Sequence, residues 1–156
     1  MSKIPGKFKE ADTGQLASLV SGRNVLMLGC YCGRALVLVA KYAWATWVVD
    51  DYSQLEGVSW ELMANADRYF PADAEVNLIH DLSPGVWIHP EGSRQLPETG
   101  VEVVYRDADR REESRELDDL VAKQFLEQRG GVYAWHDDNG DLKWLNVEPM
   151  SVVEAN

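Results

Sequence analysis

The sequence predicts an α/β protein with a doubly wound, mostly parallel sheet in three layers that closes in a β-hairpin at its C-terminal end. Three observations carry that prediction. Short apolar runs, too short for helices, alternate with segments of helical spacing. A glycine-bearing turn, Gly29 to Gly33, joins the first such run to the first long apolar helix. Carboxylates then recur directly after the runs, at Asp50, Asp81, Asp107 and Asp137.

With 156 residues, 46% of them hydrophobic, the chain is sized for one domain and its core. We expect a polar arm over residues 1–12, a single domain over 13–149 and a tail over 150–156. Thr13 to Ser21 reads as a helix capped by Asp12 or Thr13, with Leu16, Leu19 and Val20 on one face. Val25 to Leu28 suits a strand buried on both faces of a parallel sheet. Helical spacing resumes through Ala35, Leu36, Leu38, Val39 and Tyr42, so the two glycines lie at a sharp strand-to-helix junction. Such a junction lets a ligand approach bare backbone, and the helix N-terminus adds unpaired N–H groups. Ala45 to Val49 returns as a parallel strand and releases Asp50 and Asp51. A carboxylate about 20 residues beyond the turn is placed to accept hydrogen bonds from both ribose hydroxyls of a nucleoside.

Trp60 to Tyr69 has amphipathic helical spacing, ended by Pro71, and Glu75 to His80 fits a third strand. Pro84 to Gly100, with three prolines, is a loop. Val101 to Tyr105 is a fourth strand. Asp109 and Glu112 form a capping box for a helix with a stripe of Leu117, Leu120, Val121 and Phe125. Gly130-Gly131 stops that helix. Val132 to Trp135 is a fifth strand, and alternation on both sides of Asn139-Gly140 predicts a hairpin reaching Val147.

Leu28-Gly29-Cys30-Tyr31-Cys32-Gly33-Arg34-Ala35 resembles the G-x-Y-x-G-x-S turn of class I S-adenosylmethionine-dependent methyltransferases, in particular small-molecule O-methyltransferases of the catechol and of the sugar and macrolide types. A second stretch, Val104 to Asp109, a helix and then Gly131 to Asp138, is similar to that family's x-x-D-x-D-H and G-G-x-x-x-x-H-D segments. The likeness spans Val25 to Asp138 and implies a Rossmann-like fold. It implies that Gly29, Cys30, Tyr31, Gly33 and Asp50 hold S-adenosylmethionine, with Asp81 and Leu82 at the adenine. Asp81 equally suits a cap at its strand end. The chain departs from the pattern at Met27, where an acidic residue is common, and at Ala35, where serine is.

Beyond the strand ends, Asp107, Asp137 and Asp138 are oxygen donors suited to Mg²⁺, and the resemblance points to the same positions. Such an ion would lower the pKa of a substrate hydroxyl. A tight hairpin would instead use Asp137 and Asp138 as turn residues, and both readings stand at this point. Arg110 occupies the place where the family often carries a His or Lys base, and arginine keeps its proton. Base duty would then fall to His136, to the metal or to nothing, and His136 and Asp107 are the catalytic candidates.

The net charge of −11, without a basic stripe, argues against a phosphate-tracking nucleic-acid binder and leaves room for a local basic pocket. Cys30 and Cys32, the two cysteines, have neither disulfide-framework nor zinc-finger spacing, so we expect free thiols and a cytoplasmic setting. No apolar run reaches membrane-span length, and Met1 to Lys9 lacks a signal-peptide core. The leading expectation is methyl transfer to a small hydroxylated acceptor. The alternatives are a nucleoside-binding protein of the same fold that has lost transfer, and an oligomeric structural protein. The family normally continues with a helix and an antiparallel strand pair, and the short C-terminal part leaves a sheet edge that favours a homodimer.

Overall fold

In the computed structural model, residues 9–29, 34–50, 68, 70–80, 100–106 and 112–150 are described, with backbone alone at 34, 50, 78–80 and 112–114. The strands are β1 (Asn24–Leu28), β2 (Ala45–Asp50), β3 (Val76–His80), β4 (Val101–Arg106), β5 (Gly131–His136) and β6 (Leu142–Val147). The helices are α1 (Thr13–Val20), α2 (Arg34–Tyr42) and α3 (Glu112–Leu126), with a 3-10 turn over Glu10–Asp12. The helix expected over Trp60 to Tyr69, Arg68 apart, and the loop from Pro84 up to Gly100 lie outside the described residues.

The sheet order is β3-β2-β1-β4-β5-β6. The first five strands are parallel, and β6 runs antiparallel to β5. The chain therefore winds outward from β1 in one direction, then returns to its other side, leaving a switch point between β1 and β4. α1 and α2 share one face with Val25, Met27, Val48, Val103, Tyr105 and Ala134. On the other face α3 packs Ala122 and Leu126 against Leu26, Leu28, Val49, Val104 and Tyr133. This is the Rossmann-like, three-layer arrangement that the apolar runs predict: strands covered on both faces lose the usual alternation.

Two local expectations are corrected. The stripe of α3 differs in part from the expected Leu117, Leu120, Val121 and Phe125: Phe125 packs against the core, but Leu120 is 56% exposed, and Asp118, Ala122 and Leu126 are the buried positions. Ala122 and Leu126 supply the contact with the sheet, and a buried aspartate disguises the inward face in any hydrophobic pattern. Asp12 does not cap α1 with its side chain. Its backbone is already helical after the 3-10 turn, and its Oδ2 accepts from the Leu142 N–H at 3.3 Å. Lys9 Nζ donates to Asp141 Oδ1 at 2.7 Å. Residues 9–12 are thus fastened to the hairpin, although they were expected in a loose arm.

The hairpin forms where Asn139-Gly140 places it, but with a three-residue loop. Gly140 N–H donates to the Asp137 carbonyl at 2.9 Å and the Asp137 N–H to the Asp141 carbonyl at 3.0 Å. Gly140 has φ +78°, the left-handed residue that closes a loop of this length.

Candidate functional site

The carboxyl ends of the parallel strands make one rim, and the register fixes its order. Leu28 pairs with Val49 and, on the other side, with Arg106. Gly29 therefore lies at the switch point, with the last residue of β2, Asp50, beside it at about one strand spacing, roughly 5 Å. In sheets of this topology the crevice outside such a point is where ligands bind. Gly29 has φ +84° and its N–H donates to the Val49 carbonyl at 2.7 Å. A side chain would strain that backbone. The chain leaves the sheet there, and α2 begins at Arg34, so residues 30–33 span the junction that the sequence marks as a ligand seat. Cys30, Tyr31, Gly33, Asp81, Leu82 and Asp107 lie outside the described residues, and Asp50 is placed by its backbone.

The two departures from the methyltransferase pattern have a physical setting. Met27 and Ala35 are both fully buried in the core beneath α1 and α2. A carboxylate at 27 would be buried among apolar groups, so that position contributes packing.

His136 sits at the end of β5, half-buried. Its Nδ1 lies 3.2 Å from the Gly140 carbonyl, and its Nε2 lies 2.5 Å from the Tyr105 hydroxyl. A carbonyl only accepts, so Nδ1 carries the proton and Nε2 receives the Tyr105 O–H. Both ring nitrogens are engaged, and the ring packs edge-on to Tyr105 at 5.5 Å between centroids. Burial holds its pKa below the ordinary imidazole value. In this arrangement His136 ties β5 to β4 and to the hairpin loop, and its Nε2 is not open to a substrate proton.

This geometry gives a pH dependence with a definite sign. Because the folded pKa is depressed, the neutral ring's contribution is complete above the unfolded value, about 6.5, and is lost as pH falls through the folded value. We predict that the urea midpoint falls between about pH 7.5 and about pH 5.5, and falls less in His136→Asn. An equal fall in both proteins would remove His136 as the cause.

The acidic residues of the hairpin are committed to structure. Asp137 Oδ1 accepts from the N–H groups of Asn139 at 3.0 Å and Asp141 at 2.9 Å. Asp138 Oδ1, exposed, pairs with Arg115 at 3.0 Å. Among the described residues no group of three His, Cys, Asp or Glu side chains gathers as metal ligands. Asp137 thus serves as the turn residue and Asp138 pairs with a guanidinium, while Asp107, the third member of the expected Mg²⁺ set, lies outside the described residues. Asp137→Ala is predicted to cost about 1–2 kcal/mol of stability through the two lost loop hydrogen bonds, and Mg²⁺ should not raise the melting temperature of the wild-type chain. A metal-dependent rise that Asp137→Ala abolishes would restore the metal reading.

The structure adds a cluster that sequence reasoning missed. Arg106, at the end of β4, is 6% exposed on the α3 face. Its Nε donates to the Tyr133 hydroxyl at 3.1 Å, and its Nη2 lies 3.5 Å from Asp119 Oδ1. The Tyr133 hydroxyl in turn donates to Asp119 Oδ1. Burial, then the Asp119 carboxylate, holds the Tyr133 phenol well above its ordinary pKa. The available signal was a charged residue prolonging an apolar strand, with a tyrosine two strand positions into β5. This cluster anchors α3 at the rim, directly before Asp107.

None of the described helices is long and apolar enough to cross a membrane. Neither a family model nor a curated protein matches the sequence. Solved structures do match in fold. A putative methyltransferase from Streptococcus mutans in complex with SAH is 13% identical, with TM-score 0.59 over 81% of this chain and 69% of that one. A putative rRNA-methylase from Clostridium thermocellum is 15% identical, with TM-score 0.59 over 83% and 73%. The precorrin 8w decarboxylase from Methanobacterium thermoautotrophicum is 15% identical, with TM-score 0.58 over 86% and 66%. Since a decarboxylase shares the architecture, chemistry must be argued from the site. The chain has the Rossmann-like α/β fold found in these methyltransferase structures.

Proposed function

We propose that the chain is an S-adenosylmethionine-dependent methyltransferase acting on a hydroxyl of a small acceptor. The observation that carries this reading is the left-handed Gly29 at the switch point with the end of β2 beside it. Bound S-adenosylmethionine would supply an electrophilic methyl group on a sulfonium. The backbone from Gly29 through Cys30, Tyr31 and Gly33 would lie against the cofactor, with no side chain at Gly29 to hold it off. The Asp50 carboxylate would accept both ribose hydroxyls, and Asp81 and Leu82 would flank the adenine. Asp107, following Arg106 on the strand next to β1, is the candidate for orienting the acceptor hydroxyl and taking its proton. Alignment of that oxygen with the methyl group would supply most of the rate.

The engagement of His136 and the apolar burial of Met27 favour one second reading, a nucleoside-binding protein of this fold without transfer. Calorimetry with S-adenosylmethionine and its demethylated product, beside methyl transfer across a panel of hydroxylated acceptors, separates the two. Binding with turnover supports the enzyme, and binding without turnover supports the second reading. No binding at high micromolar protein defeats both.

A further inference from the structure

The outer edge of β6 carries an alternating set of backbone groups. Asp141 faces β5, since its carbonyl accepts from the Asp137 N–H. With a period of two, Lys143, Leu145 and Val147 also turn their backbone groups to β5, and Leu142, Trp144 and Asn146 turn theirs outward. The Leu142 N–H is already bonded, to Asp12 Oδ2 at 3.3 Å. Among the described residues no strand lies beyond β6, and among them Trp144 and Asn146 present the edge. That edge lacks the usual protections. Its six pairs with β5 run without a bulge, it contains no proline, and Lys143 is its single charge. Trp144, in register with small Ala134, is 40% exposed.

We infer that a second copy of this chain adds to the edge, antiparallel, about a two-fold axis through Leu145. An axis perpendicular to the sheet keeps every residue on its own face, so it must pass through a residue and not between two. Centred on Leu145, it sets Trp144 of each copy opposite Asn146 of the other. Both outward rungs then pair, and the Asp12 to Leu142 contact stays intact. Centred on Trp144, pairing would require the Leu142 N–H that Asp12 already holds. At the centre of the Leu145 register Lys143 meets Val147, so the two copies' lysines do not oppose each other, and Glu148 falls opposite Leu142, beside Asp12. The same two residues satisfy one another across the axis, which selects a second copy over a foreign strand.

The test begins with Cys30 and Cys32 replaced by serine. In that background Leu145→Cys should oxidise to a disulfide-linked dimer, because opposed residues of a non-hydrogen-bonded pair lie about 4.5 Å apart at Cα, within disulfide range. Trp144→Cys should link several-fold less. By sedimentation equilibrium the wild-type chain should dimerise in the micromolar range. Asn146→Pro removes an outward N–H without touching the β5 ladder, and Trp144→Lys places a charge on an exposed position. Each should weaken the dimer about tenfold or more, with unchanged circular dichroism. A wild-type chain that stays monomeric, as it would if the edge served a foreign strand, overturns the inference. So does a dimer that persists in both variants, or one that links better through Trp144→Cys.

Discussion

Gly131→Ala is expected to destabilise the protein by about 3–4 kcal/mol, lowering the melting temperature by roughly 10 °C for a chain of this size. Gly131 opens β5 with φ +156° where β4 passes closest. A Cβ there would lie 2.3 Å from the Glu102 carbonyl oxygen and 2.9 Å from Leu126 Cδ2. The leucine tip can move, but the carbonyl belongs to the neighbouring strand. Shifting it disturbs the pairing of Val103 with Val132 and so pushes β4 and β5 apart at their start. Gly14 in α1 is the internal control, since nothing lies within 4 Å of its added Cβ. Gly14→Ala should stabilise by about 0.5–1 kcal/mol, the ordinary helix gain. Denaturant unfolding with unchanged m-values measures both. A Gly131→Ala midpoint indistinguishable from wild type would mean that the two strands do not approach as described.

Asp50→Ala should weaken S-adenosylmethionine or product binding by about 100-fold while leaving the unfolding midpoint close to wild type. Two hydrogen bonds to a charged acceptor are lost, each worth about 1.5–3 kcal/mol, and water recovers part of that. The substitution leaves the apolar run of β2, Ala45 to Val49, unchanged. Asp137→Ala supplies the opposite pattern: stability falls and affinity holds. If Asp50→Ala binds within a few-fold of wild type, the ribose is not held at the end of β2, and the proposed orientation of the cofactor fails even if the cofactor itself binds.

The strands along the chain, the hairpin and the glycine turn at 29 were legible from the sequence alone. Each depends on a local property: a run too short for a helix, the turn chemistry of Asn139-Gly140, a backbone angle that only glycine adopts freely. Local rules mark where a chain turns and which stretches are buried, and these positions survive the fold.

What Asp137, His136 and α3 do was decided only by the tertiary structure. Asp137 has lone pairs that a cation or two N–H groups can use, and closure of the loop brings the N–H groups of Asn139 and Asp141 within 3.0 Å. His136 is an acid–base group in a list of residues, but β4 places the Tyr105 hydroxyl on its Nε2. α3 buries Asp118, Ala122 and Leu126 and exposes Leu120, because its docking on the sheet, and not its own hydrophobic pattern, sets which face turns inward. A sequence names the groups able to bond. Which partner each one takes depends on distances between residues far apart in the chain, and those exist only once the sheet has assembled.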